Sequence, residues 1–443
     1  MINRKKVSLI WVIVFLAAMP LLAQELETPF LTLEQCLKIA IENNPQLLAS
    51  HYLVQESEAR VDEVQSGFYP TFDINASASR SYYKAKISSG GLTNQDNIKA
   101  GIYARYPIFQ GFQTIALSEA VKAGFQASQA QYRSNEEELA LNVTEAYYRL
   151  LQAVRLVTVA EKSLERSQIH LNYANARFET GLASRSDILK AKVEHSNAQL
   201  ALIRARNVHL AASGQLNGLL GRKAYQSIRV VDNLESNVSA IQQDSLAVRL
   251  VVQRLFEVAS QSRPELRKME QQVKAQQAAI RMAKSDYFPT VFLDGNYSYS
   301  GEATSNLQGS SYLGLSLSFP LFSGFARPAR VAQENWALRG IEQQHLALQL
   351  QISMEVWNAY LSVKEAAERI TNTKIFYENA LENSNIAEGE YREGVGSMLV
   401  VIDAQTALVT AEESYIEALA DYRIALMALE RAVGAKNIEE KLQ

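Results

Sequence analysis

Strict alternation of apolar and polar residues marks four short segments of this chain. Their apolar members are Phe72, Ile74, Ala76 and Ala78; Ile98, Ala100, Ile102 and Ala104; Val291, Leu293, Tyr297 and Tyr299; and Leu313, Leu315, Leu317 and Phe319. Since successive side chains of a strand point to opposite faces, the pattern predicts strands with one apolar and one polar face. Polar, glycine-containing connections at 88–97 and 301–310 predict two hairpins, at about 70–109 and 289–322.

Heptad spacing replaces alternation after each hairpin. Apolar residues four and three positions apart are Leu139, Val143, Ala146, Leu150, Ala153, Val157, Ala160 and Leu164, and again Ile352, Val356, Ala359, Val363, Ala366 and Ile370. This spacing is typical of a coiled-coil seam. Helix breakers are scarce, with 9 Pro and 20 Gly in 443 residues, so we predict long helices over 113–179 and 326–392. Each would span about 100 Å, and return helices are expected over 187–220 and 399–433.

The two halves of the chain repeat one another. Equivalent prolines lie 264 − 45 = 219 and 289 − 70 = 219 residues apart, whereas later equivalent positions lie 320 − 107 = 213 and 434 − 221 = 213 apart. One length difference therefore falls between Pro70 and Pro107, where a loop tip is expected. We interpret 24–221 and 246–434 as repeats joined by an equatorial linker, 222–245, with a C-terminal tail at 435–443.

The first residues have the order of a secretory signal peptide. Arg4, Lys5 and Lys6 precede an apolar run over 7–23, which predicts a signal peptide, 1–23, cleaved near Ala23. The alternative is a membrane anchor, but the run is somewhat shorter than the roughly 20 residues that a span needs. The single cysteine, Cys36, cannot form an intramolecular disulfide.

Composition and motifs narrow the class of protein. Forty-seven acidic and 44 basic residues are interspersed, for a net charge of −3, so nothing favours a nucleic-acid partner. Five scattered histidines and one cysteine match no metal-ligand spacing, and Gly214, Gly218 and Gly221 fail the phosphate-loop spacing. No nucleophile-elbow motif occurs either. We therefore expect no enzyme activity, no metal and no cofactor.

The four predicted strands belong either to a membrane barrel that further copies of the chain complete or to a sheet in water. Four strands cannot close on themselves, and open sheet edges do not occur in hydrocarbon. Two copies would give eight strands, too narrow for a channel, so three copies with twelve strands are the smallest assembly with a lumen. Aromatic residues near the strand ends favour a membrane setting: Phe68, Tyr69, Tyr82, Tyr83, Tyr106, Phe109, Tyr287, Phe288, Phe319 and Phe322. The alternative is a soluble sheet that caps a coiled coil.

Three features together resemble the TolC-type outer membrane factor family, whose members are outer membrane efflux proteins. They are the repeats, the Pro-x-Phe-x-Gly-Phe sequence at Pro107 and Pro320, and two Gly-x-x-Ser turns. The resemblance implies an α plus transmembrane β-barrel fold, a trimeric TolC-like channel-tunnel in the outer membrane and periplasm. It also implies a passive exit duct for a tripartite efflux pump or type I secretion system. Partners would be a periplasmic adaptor (membrane fusion) protein, an inner-membrane transporter and outer membrane lipid.

The same resemblance assigns roles to particular residues. The adaptor-docking tips would be Gly181, Leu182, Ser184, Gly394, Val395 and Ser397, and the gate and constriction residues would be Asp187, Tyr391 and Asp403. Two positions depart from the family pattern: Gly396 replaces the gate arginine and Val400 replaces a second constriction aspartate. Arg185 is a weak candidate for the missing donor.

Local chemistry offers simpler interpretations of these residues. Asp187 follows Ser184 at a helix start, where a carboxylate commonly caps free amides. Asp403 could belong to a solvated helix face, and Gly181 and Gly394 could be left-handed residues that end the long helices. For the whole chain, the alternative function is a non-channel coiled-coil scaffold of the cell envelope. The sequence distinguishes neither the exported substrate nor the adaptor and transporter.

Overall fold

The computed structural model describes residues 30–84, 92–235 and 245–435. The predicted signal peptide, part of the first hairpin loop, part of the linker and the tail beyond Ala435 lie outside the described residues. The elements are β1 (Phe30–Leu31), α1 (Leu33–Asn43), α2 (Pro45–Gln65), a 3-10 turn (Ser66–Phe68), β2 (Thr71–Lys84), β3 (Leu92–Gln110), α3 (Gln113–Glu179), α4 (Arg185–Leu219), β4 (Arg229–Val230), α5 (Ser245–Ser262), α6 (Pro264–Ser285), β5 (Thr290–Gly301), β6 (Gln308–Ser318), α7 (Ala326–Glu393) and α8 (Met398–Val433).

An antiparallel sheet of four strands, in the order β2-β3-β5-β6, holds the alternating segments. Its register sets Ile74 opposite Ile102 and Ile102 opposite Tyr297, so the apolar side chains share one face. Ile74 is 81% exposed and Leu313 is 77% exposed. The other face is polar, and there Arg105 donates to Asp294 at 2.7 Å. The sheet is thus two-faced, and its apolar face is uncovered in the single chain.

The second strand of each hairpin begins earlier than the sequence predicts. β3 begins at Leu92 and β6 at Gln308, inside the segments 88–97 and 301–310 that were expected to be loops. The prediction is wrong there because strand pairing depends on the backbone, which polar residues satisfy equally well. Arg80 and Asp96 add a bidentate pair across β2 and β3, at 2.6 and 2.8 Å.

The chain consists of two compact units. In the first, within 1–40, 143–236 and 377–420, the seam residues Val143, Ala146 and Leu150 are buried. Here β1 pairs in parallel with β4. The buried Tyr147 hydroxyl donates to the carbonyl oxygen of Val231 at 2.7 Å, which fastens the linker segment to α3.

The second unit, within 41–142, 237–376 and 421–443, contains the sheet and a buried ionic network. Arg263 donates to the carbonyl oxygens of Arg431 and Ala432 at 3.2 and 3.1 Å, and to Glu355 at 2.8 Å. Arg263 and Arg431 both donate to Glu265, at 2.9 and 2.6 Å. The network therefore fixes the C-terminal end of α8, where free carbonyls attract cations. Among the helices of the described ranges, none combines the length and apolar composition that crossing a bilayer requires.

Two tyrosines at the 213-residue offset, Tyr147 and Tyr360, differ in one hydrogen bond. Tyr147 has its carbonyl partner, whereas the hydroxyl of the equivalent Tyr360 is buried with no partner among the described residues. We expect Tyr147→Phe to lower the free energy of unfolding by about 1 kcal/mol or more, and Tyr360→Phe to be nearly neutral. Thermal unfolding of the purified variants measures both, and equal losses would contradict the assignment.

The ionic network predicts a specific acid sensitivity. Burial raises the pKa of Glu265, but Arg263 and Arg431 outweigh it and lower the pKa from 4.5 to about 2. A carboxyl whose pKa falls on folding stabilises the folded state above its unfolded pKa, and this contribution is lost as the pH falls through the folded value. We therefore expect wild type to lose thermal stability between about pH 4.5 and pH 2, and Glu265→Gln to lose less. Parallel melting curves would contradict this.

Candidate functional site at the ends of the long helices

The turn between α3 and α4 is closed by a glycine and a capping box. Gly181 has φ of 75°, and the N–H of Leu182 donates to the carbonyl of Arg177 at 2.8 Å, which is a left-handed helix ending. Asp187 N–H donates to Ser184 Oγ at 3.3 Å, and Ser184 N–H returns a bond to Asp187 Oδ2 at 3.1 Å. The interpretation of Asp187 as a helix cap is confirmed.

The turn between α7 and α8 has the same helix ending but a weaker cap. Gly394 has φ of 88°, and the N–H of Val395 donates to the carbonyl of Glu390 at 3.0 Å. Val400 occupies the position that Asp187 has in the first turn, so only one bond remains, from Val400 N–H to Ser397 Oγ at 3.5 Å. At the turns, Leu182 is 70% exposed and Val395 is 82% exposed.

Each long helix forms a helical hairpin with the helix that follows it, α3 with α4 and α7 with α8; from here on, "hairpin" means one of these helix pairs. Tyr391 lies in a small hydrophobic core that joins the two hairpins. It is 5% exposed and clusters with four other buried residues, Ala174, Ala191, Met398 and Val401. Its hydroxyl has no hydrogen-bond partner among the described residues. Burial raises the pKa of this hydroxyl, the guanidinium of Arg177 lowers it, and the carboxylate of Asp187 raises it. Asp187 thus lies near enough to disfavour ionisation of Tyr391, but no hydrogen bond joins the two side chains among the described residues.

Arg177 is the residue of this site that the sequence did not reveal. Its guanidinium carbon lies 4.8 Å from the centre of the Tyr391 ring, and its Nη1 donates to the Tyr391 carbonyl oxygen. Arg177 stands in the last turn of α3, directly before Phe178 of the turn motif. The sequence does show a cation near the end of a helix, which is a favourable position. It does not indicate that this cation contacts a residue on α7.

Gly396 has a steric reason to be glycine. A Cβ atom there would lie 3.0 Å from both Glu390 Cβ and the Tyr391 nitrogen, so an arginine would require these neighbours to shift by a few tenths of an ångström. Arg185, the substitute suggested by the sequence, is exposed, and among the described residues it makes no hydrogen bond or ion pair.

Asp403 lies apart from the Arg177–Tyr391 contact. It is exposed on α8, on the face opposite the buried Val401, Ala404 and Leu408. It has no hydrogen bond or ion pair within the described ranges, so its carboxylate is free to act on solvent ions. Across residues 30–84, 92–235 and 245–435, no cluster of three or more His, Cys, Asp or Glu side chains could hold a metal ion.

Comparison with known proteins identifies the family. The model of the outer membrane efflux protein family matches residues 36–222 and 255–435. Outer membrane protein TolC of Vibrio cholerae is 25% identical over 410 residues, 89% of each chain. Protein CyaE of Bordetella pertussis is 26% identical over 414 residues, 91% of this chain and 84% of that one.

Solved structures agree on the fold. A structure of CusC superposes with a TM-score of 0.79 at 18% identity, covering 94% of this chain and 96% of that one. The Campylobacter jejuni CmeC outer membrane channel superposes with a TM-score of 0.78 at 17% identity, covering 93% and 89%. Because the family model matches well over half of the chain, the chain belongs to the outer membrane efflux protein family and is a protein of the outer membrane.

Proposed function

We propose that this protein is a passive exit duct, built from three copies of the chain, for a tripartite efflux pump or a type I secretion system. The observation that carries the proposal is the four-stranded sheet with an uncovered apolar face and, at each edge, a strand paired on one side only. Hydrocarbon would solvate that face, whereas the free backbone groups of β2 and β6 would need partners. Pairing β6 of one copy with β2 of the next supplies them.

The helices would continue the duct into the periplasm. In the described ranges, α3 and α7 are unbroken over Gln113–Glu179 and Ala326–Glu393. A duct has no energy source of its own, so an inner-membrane transporter would drive transport through a periplasmic adaptor. The turns at Gly181 and Gly394 are the docking sites that we propose for the adaptor, because Leu182 and Val395 present apolar side chains to solvent there.

A shallow groove beside the turns supports the same assignment. It has a volume of about 650 Å³ and lies between α4 and α8. Its walls include the exposed apolar side chains of Leu189, Val193 and Leu399. Exposed apolar side chains at this spacing on helices are typical of surfaces that receive another helix. An adaptor that presents a helical hairpin could therefore contact both the turns and this groove.

A gate at the turns completes the proposal. The ends of both hairpins are held together in the single chain by the core around Tyr391. Opening would separate the hairpins at this core, as an iris does, and Asp403 would line the constriction. The geometry thus supports a duct whose periplasmic end is closed at rest.

Conductance in planar bilayers tests the duct directly. We expect detergent-purified mature protein to insert and to give small, uniform, long-lived openings. Protein that stays soluble without detergent and never inserts would contradict the duct and favour the envelope scaffold. The control is the same preparation after heat denaturation.

The free carboxylate of Asp403 predicts ion selectivity. Three symmetry copies around the pore axis would attract cations, so Asp403→Asn should lower the cation-to-anion permeability ratio severalfold while leaving the protein folded. Reversal potentials in a salt gradient measure this ratio. Glu382→Gln is the matched control, because Glu382 is also an exposed acid in the same unit. An equal effect of both variants would argue against a constriction at Asp403.

A further inference from the structure

The contact between Arg177 and Tyr391 joins the ends of two long helices that are far apart in sequence. Arg177 is in the last turn of α3, and the carbonyl oxygen that it binds belongs to the last turn of α7. That carbonyl also accepts the N–H of Gly394 at 3.2 Å. Because the last carbonyls of a helix carry partial negative charge, the guanidinium lies where a cation is most favourable. One side chain thus bridges the two hairpins.

The ring of Tyr391 supplies the second half of the contact. A guanidinium over an aromatic face gains cation–π attraction, and a half-buried setting strengthens it. Arg177 Nη2 also lies 3.5 Å from the position that a Cβ on Gly394 would occupy, so the side chain fills the space beside the turn. Arginine suits this site because its planar group can stack and donate at once.

The hydroxyl of Tyr391 and the carboxylate of Asp187 take no direct part in the bridge. The hydroxyl has no hydrogen-bond partner among the described residues. Asp187 Oδ2 accepts from both the backbone and the hydroxyl of Ser184, at 3.1 and 2.9 Å. Its Oδ1 lies 4.0 Å from Lys190 Nζ. The contacts of the Asp187 carboxylate are therefore with residues of α4 and its N-terminal cap.

The residues at the equivalent positions do not form a second bridge within the described ranges. The positions equivalent to Arg177 and Tyr391, at the 213-residue offset, are Glu390 and Phe178. Phe178 is 44% exposed, whereas Tyr391 is buried. Within the described residues the bridge runs in one direction, from the first hairpin to the end of α7.

We propose that Arg177 is the positioning residue that holds the two hairpins together, through the ring and carbonyl of Tyr391 and not through a hydrogen bond between Tyr391 and Asp187. This inference rests on the proposed gate for its functional consequence. The physical claim, a coupling between Arg177 and the Tyr391 ring, stands on the contact itself.

Four variants separate the two ways of holding the hairpins. Arg177→Gln removes the charge, and Tyr391→Leu removes the ring. Tyr391→Phe keeps the ring and removes the hydroxyl, and Asp187→Asn keeps the shape of the cap while removing its charge. Arg185→Gln is the matched control, since Arg185 is an exposed arginine close to the same turn. All are made in the full-length protein and measured in planar bilayers.

We expect Arg177→Gln and Tyr391→Leu each to raise the open probability at least about fivefold, a factor equal to about 1 kcal/mol. The double variant should open by less than the product of the two single effects, because both substitutions remove the same ring contact. Arg185→Gln should match wild type, and Tyr391→Phe and Asp187→Asn should each open less than Arg177→Gln. If Tyr391→Phe and Asp187→Asn open the channel while Arg177→Gln does not, the proposal is wrong.

Thermal unfolding of the same variants keeps the two claims apart. We expect the losses of Arg177→Gln and Tyr391→Leu not to add, because the two residues share one contact. If the losses of stability do not add but the conductance is unchanged, the contact between Arg177 and Tyr391 is supported and its role in the gate is contradicted. Additive stability would overturn the contact, whatever the conductance shows.

Discussion

Backbone hydrogen bonding at the edges of the sheet is the constraint on which the rest of this structure depends. β2 and β6 each have one paired side, and the apolar face that they share with β3 and β5 is uncovered. In water, exposure of the apolar face would cost free energy. In hydrocarbon, the N–H and C=O groups without hydrogen-bond partners would cost free energy instead. Only closure with further copies removes both costs. The chain belongs to a family of outer membrane proteins, and the trimer that we propose is the smallest closed arrangement with a lumen.

The ends of the helices also have backbone groups that need hydrogen-bond partners. The turn between α3 and α4 and the turn between α7 and α8 supply these partners differently. Both long helices end at a left-handed glycine, but only the first turn has a full capping box, between Ser184 and Asp187. The second turn has Val400 in place of Asp187. There, Arg177 of α3 donates to the carbonyl oxygen of Tyr391 in the last turn of α7. The weaker local cap is thus accompanied by a tertiary contact. This asymmetry makes the end of α7 the place where the hairpins can be held or released.

Features with a local cause could be read from the sequence. Alternation and heptad spacing predicted β-hairpins at about 70–109 and 289–322 and long helices over 113–179 and 326–392, and the structure has strands and helices over those ranges. The left-handed Gly181 and Gly394 and the cap by Asp187 followed from turn chemistry. The true starts of β3 and β6 did not, because their polar residues hide backbone pairing. Arg177 was missed because its partner lies 391 − 177 = 214 residues away, and no sequence pattern connects the two positions.

Covalent linkage between edge strands tests the central claim most directly. In a Cys36→Ser background, one cysteine replaces Ile74 of β2 and another replaces, in turn, Gly309, Ser311, Leu313, Leu315 and Leu317 of β6, all on the apolar face. Oxidation in the membrane should give, for at least one pair, covalent dimers and trimers and nothing larger. Oxidation that yields only monomers for every pair, or a ladder that continues beyond three copies, would contradict a closed barrel of three chains.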